Sequence, residues 1–297
     1  MSPTTTKHNK FVRLLTYPFR TFLKRINLIK YVEKEYRYVT GHKLNLIEPK
    51  RYTEKLQYLR LLSYPNDKNV IQAAGRVGLR EFAKNKGFER FLIDSYGVFD
   101  NFDDIDFAKL PDSFVIKCSH ASGFNKIIYD KNEIDIKSLK KQFDKWMKTD
   151  YGFMTAEPHY SKIKPEIIIE ELLLENGHLP IEYKIHVFNG KAKYMYVVTG
   201  RDSSIYYNNY YIDWTSFDRA QFNHWRTSKE TIKRPTNWDE AVLLAESLAS
   251  EFPFVRVDLY IIKNQIYISE MTFTPAKGTL TFADDNVDYE IGEWLTI

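Results

Sequence analysis

Residues 256–272, RVDLYIIKNQIYISEMT, narrow what this chain can become more than any other stretch. Two β-rich runs flank the polar tip Lys263, Asn264 and Gln265, which predicts a hairpin with a three-residue loop centred on Asn264. In that register Asp258 faces Glu270 and Arg256 faces Thr272. Side chains two apart on a strand share a face, so the four form one patch. Opposed carboxylates would have Cβ atoms about 4.5–5.5 Å apart, and like charges placed opposite are destabilising. A cation should offset them. Mg²⁺ suits the purpose, because it takes oxygen ligands and is usually held by one or two carboxylates plus phosphates, with Arg256 beside it to take a phosphate oxygen. The plainer alternative is a solvated face on which Arg256 neutralises both acids.

The 297 residues are 43% hydrophobic and 28% charged, enough to bury a core, and only 12 Gly and 11 Pro exclude a collagenous, low-complexity or linker-dominated chain. The single cysteine, Cys118, excludes an internal disulfide framework and any multi-cysteine zinc site. The net charge of +4 conceals an asymmetry. Seven of the 43 basic residues and no acid lie in residues 1–30, leaving 36 bases against 39 acids, about −3, in the rest. Phe11, Leu14, Leu15, Phe19, Phe22, Leu23 and Ile26 follow helical spacing with Pro18 interrupting. Residues 1–30 therefore read as a basic amphipathic segment, either contacting anionic membrane or packed on the chain's own body. No apolar run reaches the roughly 20 residues of a membrane span, and no cleavage pattern follows the first apolar stretch. The expected location is cytoplasmic, with peripheral contact at the inner face of the membrane if the segment binds lipid. Nucleic acid is not an expected partner, because the basic excess is confined to this segment.

Residues 31–112 read as mainly helical, with pieces near 53–63 and 78–86 and a short strand at 91–93. Strands are expected at 113–118, 126–129, 166–173, 181–188, 192–199, 254–262 and 265–272, and helices at 136–147 and 238–250. Helices segregated from antiparallel strands predict an α+β fold. The expected divisions are 1–30, 31–112, 113–190 and 191–297.

In FVIKCSHASGFNKII, residues 114–128, a strand ending in Lys117 leads into a loop of small residues that includes Ser122 and Gly123, then Asn125. Such a loop lets backbone N–H groups approach an anion while the lysine supplies a point charge, although an ordinary hairpin turn has the same pattern. It is neither a Walker A sequence nor a dinucleotide fingerprint. Residues 166–190 hold an apolar run ending in Glu170 and Glu171, then a strand whose Glu182, Lys184 and His186 share a face. Buried carboxylates must be paired. Cys118 near His120 is read as a small core residue rather than a nucleophile.

The order Lys117 with its loop, Glu170, Glu182, Lys184, Arg256, Asp258, Glu270 and TPAKG resembles the ATP-grasp superfamily, in its TupA-like, teichuronopeptide-biosynthesis branch. The resemblance runs from about Lys43 to the end and includes EKLQYLRL at 54–61 and LREFAKNKGF at 79–88. It implies ATP clamped between two α+β subdomains. Lys117 and Lys184 would contact phosphates or the adenine edge, and Ser122, Gly123 and Asn125 would lie in the loop over the phosphates. Glu170 would accept from the adenine amino group, the backbone near Leu173 would complete that contact, and Glu182 would hold the ribose. Arg256, with Lys184, would serve catalysis, and Asp258 and Glu270 would ligate Mg²⁺. Thr272 stands where many relatives have asparagine, and Gly75–Arg76 where Asp-Lys is common.

The implied reaction is carboxylate–amine ligation through an acyl phosphate, with a carboxylated sugar or glycan precursor and an amine donor as substrates. The Tyr-rich stretch 194–214 offers stacking faces and hydroxyls for a sugar, with packing and edge-strand use as the plainer alternative. A phosphotransferase acting on a sugar hydroxyl and a non-catalytic glycan-binding scaffold are the alternatives.

Overall fold

The computed structural model describes residues 20–223 and 225–297. Most of the basic segment expected at 1–30, residues 1–19, lies outside the described residues. Within the remainder of that segment, residues 20–26 are helical, and Lys24 Nζ donates to the carbonyls of Phe153 and Met154, both at 3.0 Å.

Helices α1 (Leu28–Thr40), α2 (Tyr52–Tyr58), α3 (Lys68–Ala74) and α4 (Arg76–Asn85) come first. Capping accounts for the limits of α1. The Asn27 side chain accepts from the Lys30 backbone N–H, and Gly41, in the left-handed conformation, ends the helix. Where a strand was expected at 91–93, a 3₁₀ turn covers Glu89–Phe91 and Leu92 makes an isolated parallel bridge to Ile268. Three apolar residues are too few to build a ladder.

Strands β1 (Ser95–Phe99), β2 (Phe114–Cys118), β3 (Asn125–Ile128) and β4 (Ile167–Glu171) form an antiparallel sheet in the order β1-β4-β2-β3. Helices α5 (Ile136–Met147) and α6 (Tyr151–Thr155) lie between β3 and β4 in sequence. Leu139 and Phe143, one turn apart on α5, pack with Phe114, Ile116, Ile167 and Ile169. The second sheet joins β5 (Glu182–Phe188), β6 (Lys191–Thr199), β7 (Tyr206–Tyr211), β8 (Phe254–Ile262) and β9 (Gln265–Thr272) in the order β7-β6-β5-β8-β9. Helix α7 (Trp238–Ala249) buries Trp238, Ala241, Leu244, Ala245 and Leu248 in this sheet's core, which also takes Val287 and Ile291 of α8 (Asn286–Glu293) and the buried faces of α2 to α4.

The α+β expectation therefore holds, with different divisions. The four-stranded sheet begins at Ser95, inside the stretch expected to be helical, and β5 belongs to the five-stranded sheet, so the two sheets divide between Glu171 and Glu182. Strand β1 is a short edge whose exposure alternates and whose pairing with β4 shifts register between Ser95 and Gly97, which weakens its periodic signal.

The β8–β9 hairpin pairs Asp258 with Glu270 and Arg256 with Thr272, but not by the expected loop. Ile262 pairs with Gln265, so the turn has two residues, Lys263 and Asn264, with φ of 47° and 64°. Positive φ at both central residues is the signature of a type I′ turn. A bulge between Asp258 and Leu259 then shifts the register by one residue at Ser269 and brings the two acids opposite each other.

Candidate functional site

A cavity of about 630 Å³ lies between the sheets. Val115 and Lys117 of β2, Ser122 and Gly123 of the following loop, and Asn125 and Ile127 of β3 line one side. The link after β4 contributes Leu172, Leu173, Leu179 and Pro180. The five-stranded sheet contributes Glu182, Lys184, Tyr196, Arg256, Asp258, Tyr260, Ser269, Glu270 and Thr272. Strand alternation, interrupted by the bulge at Ser269, puts them on one face, and the register aligns them in rows: Tyr196, Lys184, Asp258 and Glu270 are consecutive partners across β6, β5, β8 and β9.

Of the residues singled out in the sequence, Lys117, Ser122, Gly123, Asn125, Leu173, Glu182, Lys184, Arg256, Asp258 and Glu270 all reach this cavity. Glu170 does not line it. Its buried carboxylate accepts from Lys117 Nζ at 2.5 Å and from an Arg80 guanidinium nitrogen at 3.2 Å, so it anchors a lysine of the wall. Burial alone would raise the Glu170 pKa, but Lys117, Arg76 and Arg80 hold it below the ordinary range.

Asp258 is 2% exposed and carries most of the buried ionic network. Arg256 Nε donates to Oδ1 at 2.6 Å, a terminal Arg256 nitrogen donates to Oδ2 at 2.7 Å, and Lys184 Nζ donates to Oδ2 as well. Burial pushes the Asp258 pKa up, and Arg256 and Lys184 together more than reverse it. Burial would likewise depress Lys184, yet Asp258 raises it above the usual lysine range. Arg256 also donates to Tyr196 Oη at 2.9 Å and Thr272 Oγ1 at 2.8 Å, and the Thr272 hydroxyl donates to Glu270 Oε1 at 3.0 Å. Glu182 lies 3.1 Å from Lys184 and accepts from Arg201 at 2.5 Å, while Arg76 stands 3.7 Å from Glu270.

Seven cations (Arg76, Arg80, Lys117, Lys184, Arg201, Arg256 and Lys277) thus stand against six carboxylates (Glu157, Glu170, Glu171, Glu182, Asp258 and Glu270) in and behind the wall. The excess positive charge in a cleft attracts a polyanion. The donor set also suits Mg²⁺ entering with phosphates. Glu270 has an oxygen that no hydroxyl occupies, and Asp258 can share lone pairs that its two cations leave open. No group of three or more His, Cys, Asp or Glu side chains able to hold a metal occurs among the described residues. Two carboxylates completed by phosphate oxygens are what Mg²⁺ commonly takes.

Cys118 is buried in the four-stranded sheet, where burial pushes its thiol up to about 12, and the His120 ring contacts the Trp146 carbonyl at 3.2 Å. The pair is not a nucleophile and base. Sequence reasoning named Tyr196 and Arg201 only within the Tyr-rich stretch 194–214 and passed over Glu157, Thr274 and Lys277 as wall residues. Alternation along β6 could have found Tyr196, which is paired with Lys184. Arg201 and Glu157 carry no periodic signal.

A family model described as TupA-like ATPgrasp matches residues 54–296. No curated protein matches the sequence. Among solved structures, the chain is similar to D-alanine–D-alanine ligase from Bacillus anthracis complexed with ATP, at 18% identity and a TM-score of 0.45, over 74% of this chain and 62% of that one. D-alanine–D-alanine ligase from Helicobacter pylori matches at 13% identity and 0.45, over 83% and 67%, and L-amino acid ligase from Bacillus licheniformis at 12% and 0.47, over 76% and 49%. The chain therefore spans under two thirds of the length of the first and third of these ligases.

Proposed function

The chain belongs to the TupA-like ATP-grasp family, and from that premise we propose that it is an ATP- and Mg²⁺-dependent ligase joining a carboxylate to an amine. The observation that carries the reading is the cation-rich cavity, in which Lys117 comes from one sheet and Lys184, Arg256, Asp258 and Glu270 from the other. A triphosphate held between the sheets satisfies the excess cations. The apolar link residues Leu172, Leu173, Leu179 and Pro180, with Val115 and Ile127, offer apolar contacts for a base.

In this reading Lys117 and Lys184 contact phosphates, with Glu170, behind the wall, holding Lys117 in place rather than meeting the adenine amino group. Ser122, Gly123 and Asn125 cover the phosphates, the backbone near Leu173 meets the adenine edge and Glu182 meets the ribose hydroxyls. Asp258 and Glu270 would hold the Mg²⁺, which would neutralise phosphate charge. Arg256, fixed by Asp258, Tyr196 and Thr272, steadies the transferring phosphoryl group. A substrate carboxylate attacks the γ-phosphorus and displaces ADP, and the amine then opens the acyl phosphate, releasing phosphate. Positioning and charge neutralisation supply the catalysis, so no nucleophilic side chain is needed.

The carboxylate substrate proposed is a surface-polysaccharide precursor, by likeness to the family's teichuronopeptide branch. Contact of residues 1–30 with anionic lipid would bring the enzyme to a lipid-linked acceptor. No helix among the described residues is long and apolar enough to cross a membrane.

Calorimetry with Mg-ATP, beside Lys117→Ala, tests the nucleotide site; binding should be lost in the variant. ADP release with a uronic acid and pooled amino acids then tests the reaction. Release that requires an amine supports ligation, and stable transfer of phosphate to the sugar without an amine overturns it.

A further inference from the structure

The nucleotide and metal of the proposed reaction draw on β2, β3, β5, β8, β9 and the link after β4, which leaves the β6–β7 side of the cavity unassigned. Tyr196, Arg201, Tyr207 and Trp225 line that side. Tyr207 and Trp225 are half-buried, with ring centroids 4.0 Å apart and planes 34° from parallel, and Trp225 meets the buried Tyr196 ring edge-on at 5.7 Å. The chain is tied down on both sides of Trp225. The Asn223 N–H donates to the Thr281 carbonyl at 2.9 Å, and the Arg226 carbonyl accepts from the Tyr207 N–H at 2.8 Å. The indole is thus held at the cavity from both ends of its segment.

Three donors on this side have no acceptor among the described residues. An arginine offers donors only, so Tyr196 Oη accepts from Arg256, at 2.9 Å, and its own hydroxyl hydrogen goes to no protein group. Arg201 gives a terminal nitrogen to Glu182 at 2.5 Å, while its buried Nε donates to nothing. Trp225 Nε1 likewise makes no hydrogen bond, although the indole nitrogens of Trp214 and Trp238 reach carbonyls at 3.1 and 2.9 Å. Thr272, the other hydroxyl that accepts from Arg256, shows the contrast, since it passes its hydrogen on to Glu270. Donors withdrawn from bulk water are normally satisfied, so these three call for a ligand that brings oxygens.

The aromatic faces add a second requirement. The negative face of an aromatic ring attracts polarised C–H groups, so the ligand needs an apolar face as well as a rim of oxygens. A pyranose has both. An open-chain acid has no flat face, and an aryl ring has no rim of hydroxyls. We propose that Trp225 and Tyr207 stack the ring of the carboxylate substrate, a cyclic sugar acid, while Tyr196, Arg201 and Trp225 Nε1 donate to its oxygens. The inference rests on the ligase reading and deepens it, by placing the carboxylate substrate and making its ring, rather than its charge alone, what the site selects. Because Arg256 donates to Tyr196, a ring on this platform lies beside the group assigned to the transferring phosphoryl.

The full chain, loaded with Mg-ADP, is titrated calorimetrically with the cyclic acids D-glucuronate and D-galacturonate, with the open-chain acids D-gluconate and D-galactonate, and with benzoate. At least one cyclic sugar acid should bind tenfold or more tightly than its open-chain counterpart and than benzoate. Trp225→Leu, which keeps apolar bulk and removes the aromatic face, should erase that preference with Mg-ADP affinity unchanged, and Trp225→Tyr should retain most of it. Should Trp225→Leu lose its cooperative melt, Tyr207→Leu takes its place under the same expectations. Equal binding of cyclic and open-chain acids, no binding of either, benzoate binding as tightly as the sugar acids, or a preference that survives the leucine variant overturns the platform. Loss of Mg-ADP affinity in a leucine variant that melts like the parent makes the ring a nucleotide contact and also overturns it. Failure of the intact chain to bind Mg-ADP overturns the ligase reading itself, a separate result.

Discussion

Asp258 and Glu270 are partners across β8 and β9, yet their carboxylates are held in opposite ways. Both oxygens of Asp258 are taken by Arg256 and Lys184 in a buried network, whereas Glu270, among the described residues, meets only the Thr272 hydroxyl and, at 3.7 Å, Arg76. Asp258 organises the cations of the site, and Glu270 stays available.

That asymmetry separates two substitutions that sequence alone would treat alike. Asp258→Asn leaves Arg256 and Lys184 buried without their counter-charge, and removing one partner of a buried network typically costs about 3–5 kcal/mol. Glu270→Gln should cost within about 1 kcal/mol, as for a weakly held pair near solvent. Denaturant unfolding of both variants measures the difference, and both should lose Mg-ATP affinity. Equal stability losses would contradict the network as described.

Two histidines set an acid limit. Burial holds His159 down to about 3, and His186, packed against Tyr194, well below 6.5. In the unfolded chain each binds a proton below about pH 6.5 that the native state refuses. Stability is therefore fully present above that pH and falls as the pH drops, by about 1.4 kcal/mol per unit for each ring. Between pH 6 and 4 the His159→Phe variant should lose stability less steeply than the parent by that amount. An unchanged slope would mean that the ring titrates normally in the native state.

Gly278 has a φ of 66°, and an added Cβ would stand 2.7 Å from Gln57 Nε2. Gly278→Ala should therefore destabilise the chain by about 1–2 kcal/mol or more through left-handed strain alone, with a further cost from displacing Gln57. Thermal unfolding reads it. A neutral result would show that Gln57 does not clamp this turn.

Residues 20–30 belong in part to the folded body, because Lys24 is bonded to the Phe153 and Met154 carbonyls. Deleting residues 1–19 is thus the cleaner test of membrane contact than deleting 1–30. Sedimentation with anionic phosphatidylserine vesicles should be lost while Mg-ATP affinity is kept. Unchanged sedimentation would refute the contact.

The opposition of Asp258 and Glu270, the face shared by Glu182 and Lys184, the Lys117 hairpin and helices such as 136–147 were legible in the sequence, because alternation and helical periodicity are local properties of the chain. Even there the route was hidden: a two-residue turn and a bulge at Ser269 together reproduce the register that a three-residue loop would have produced. What only the tertiary structure decided are the partners. Glu170 holds Lys117 and Arg80, Arg201 closes on Glu182, and Arg60 ties the turn at Lys277 to the loop at Glu157. Each joins segments far apart in sequence. Which charges meet depends on how the two sheets and their loops are placed around the cavity, and no periodicity within one segment encodes that placement.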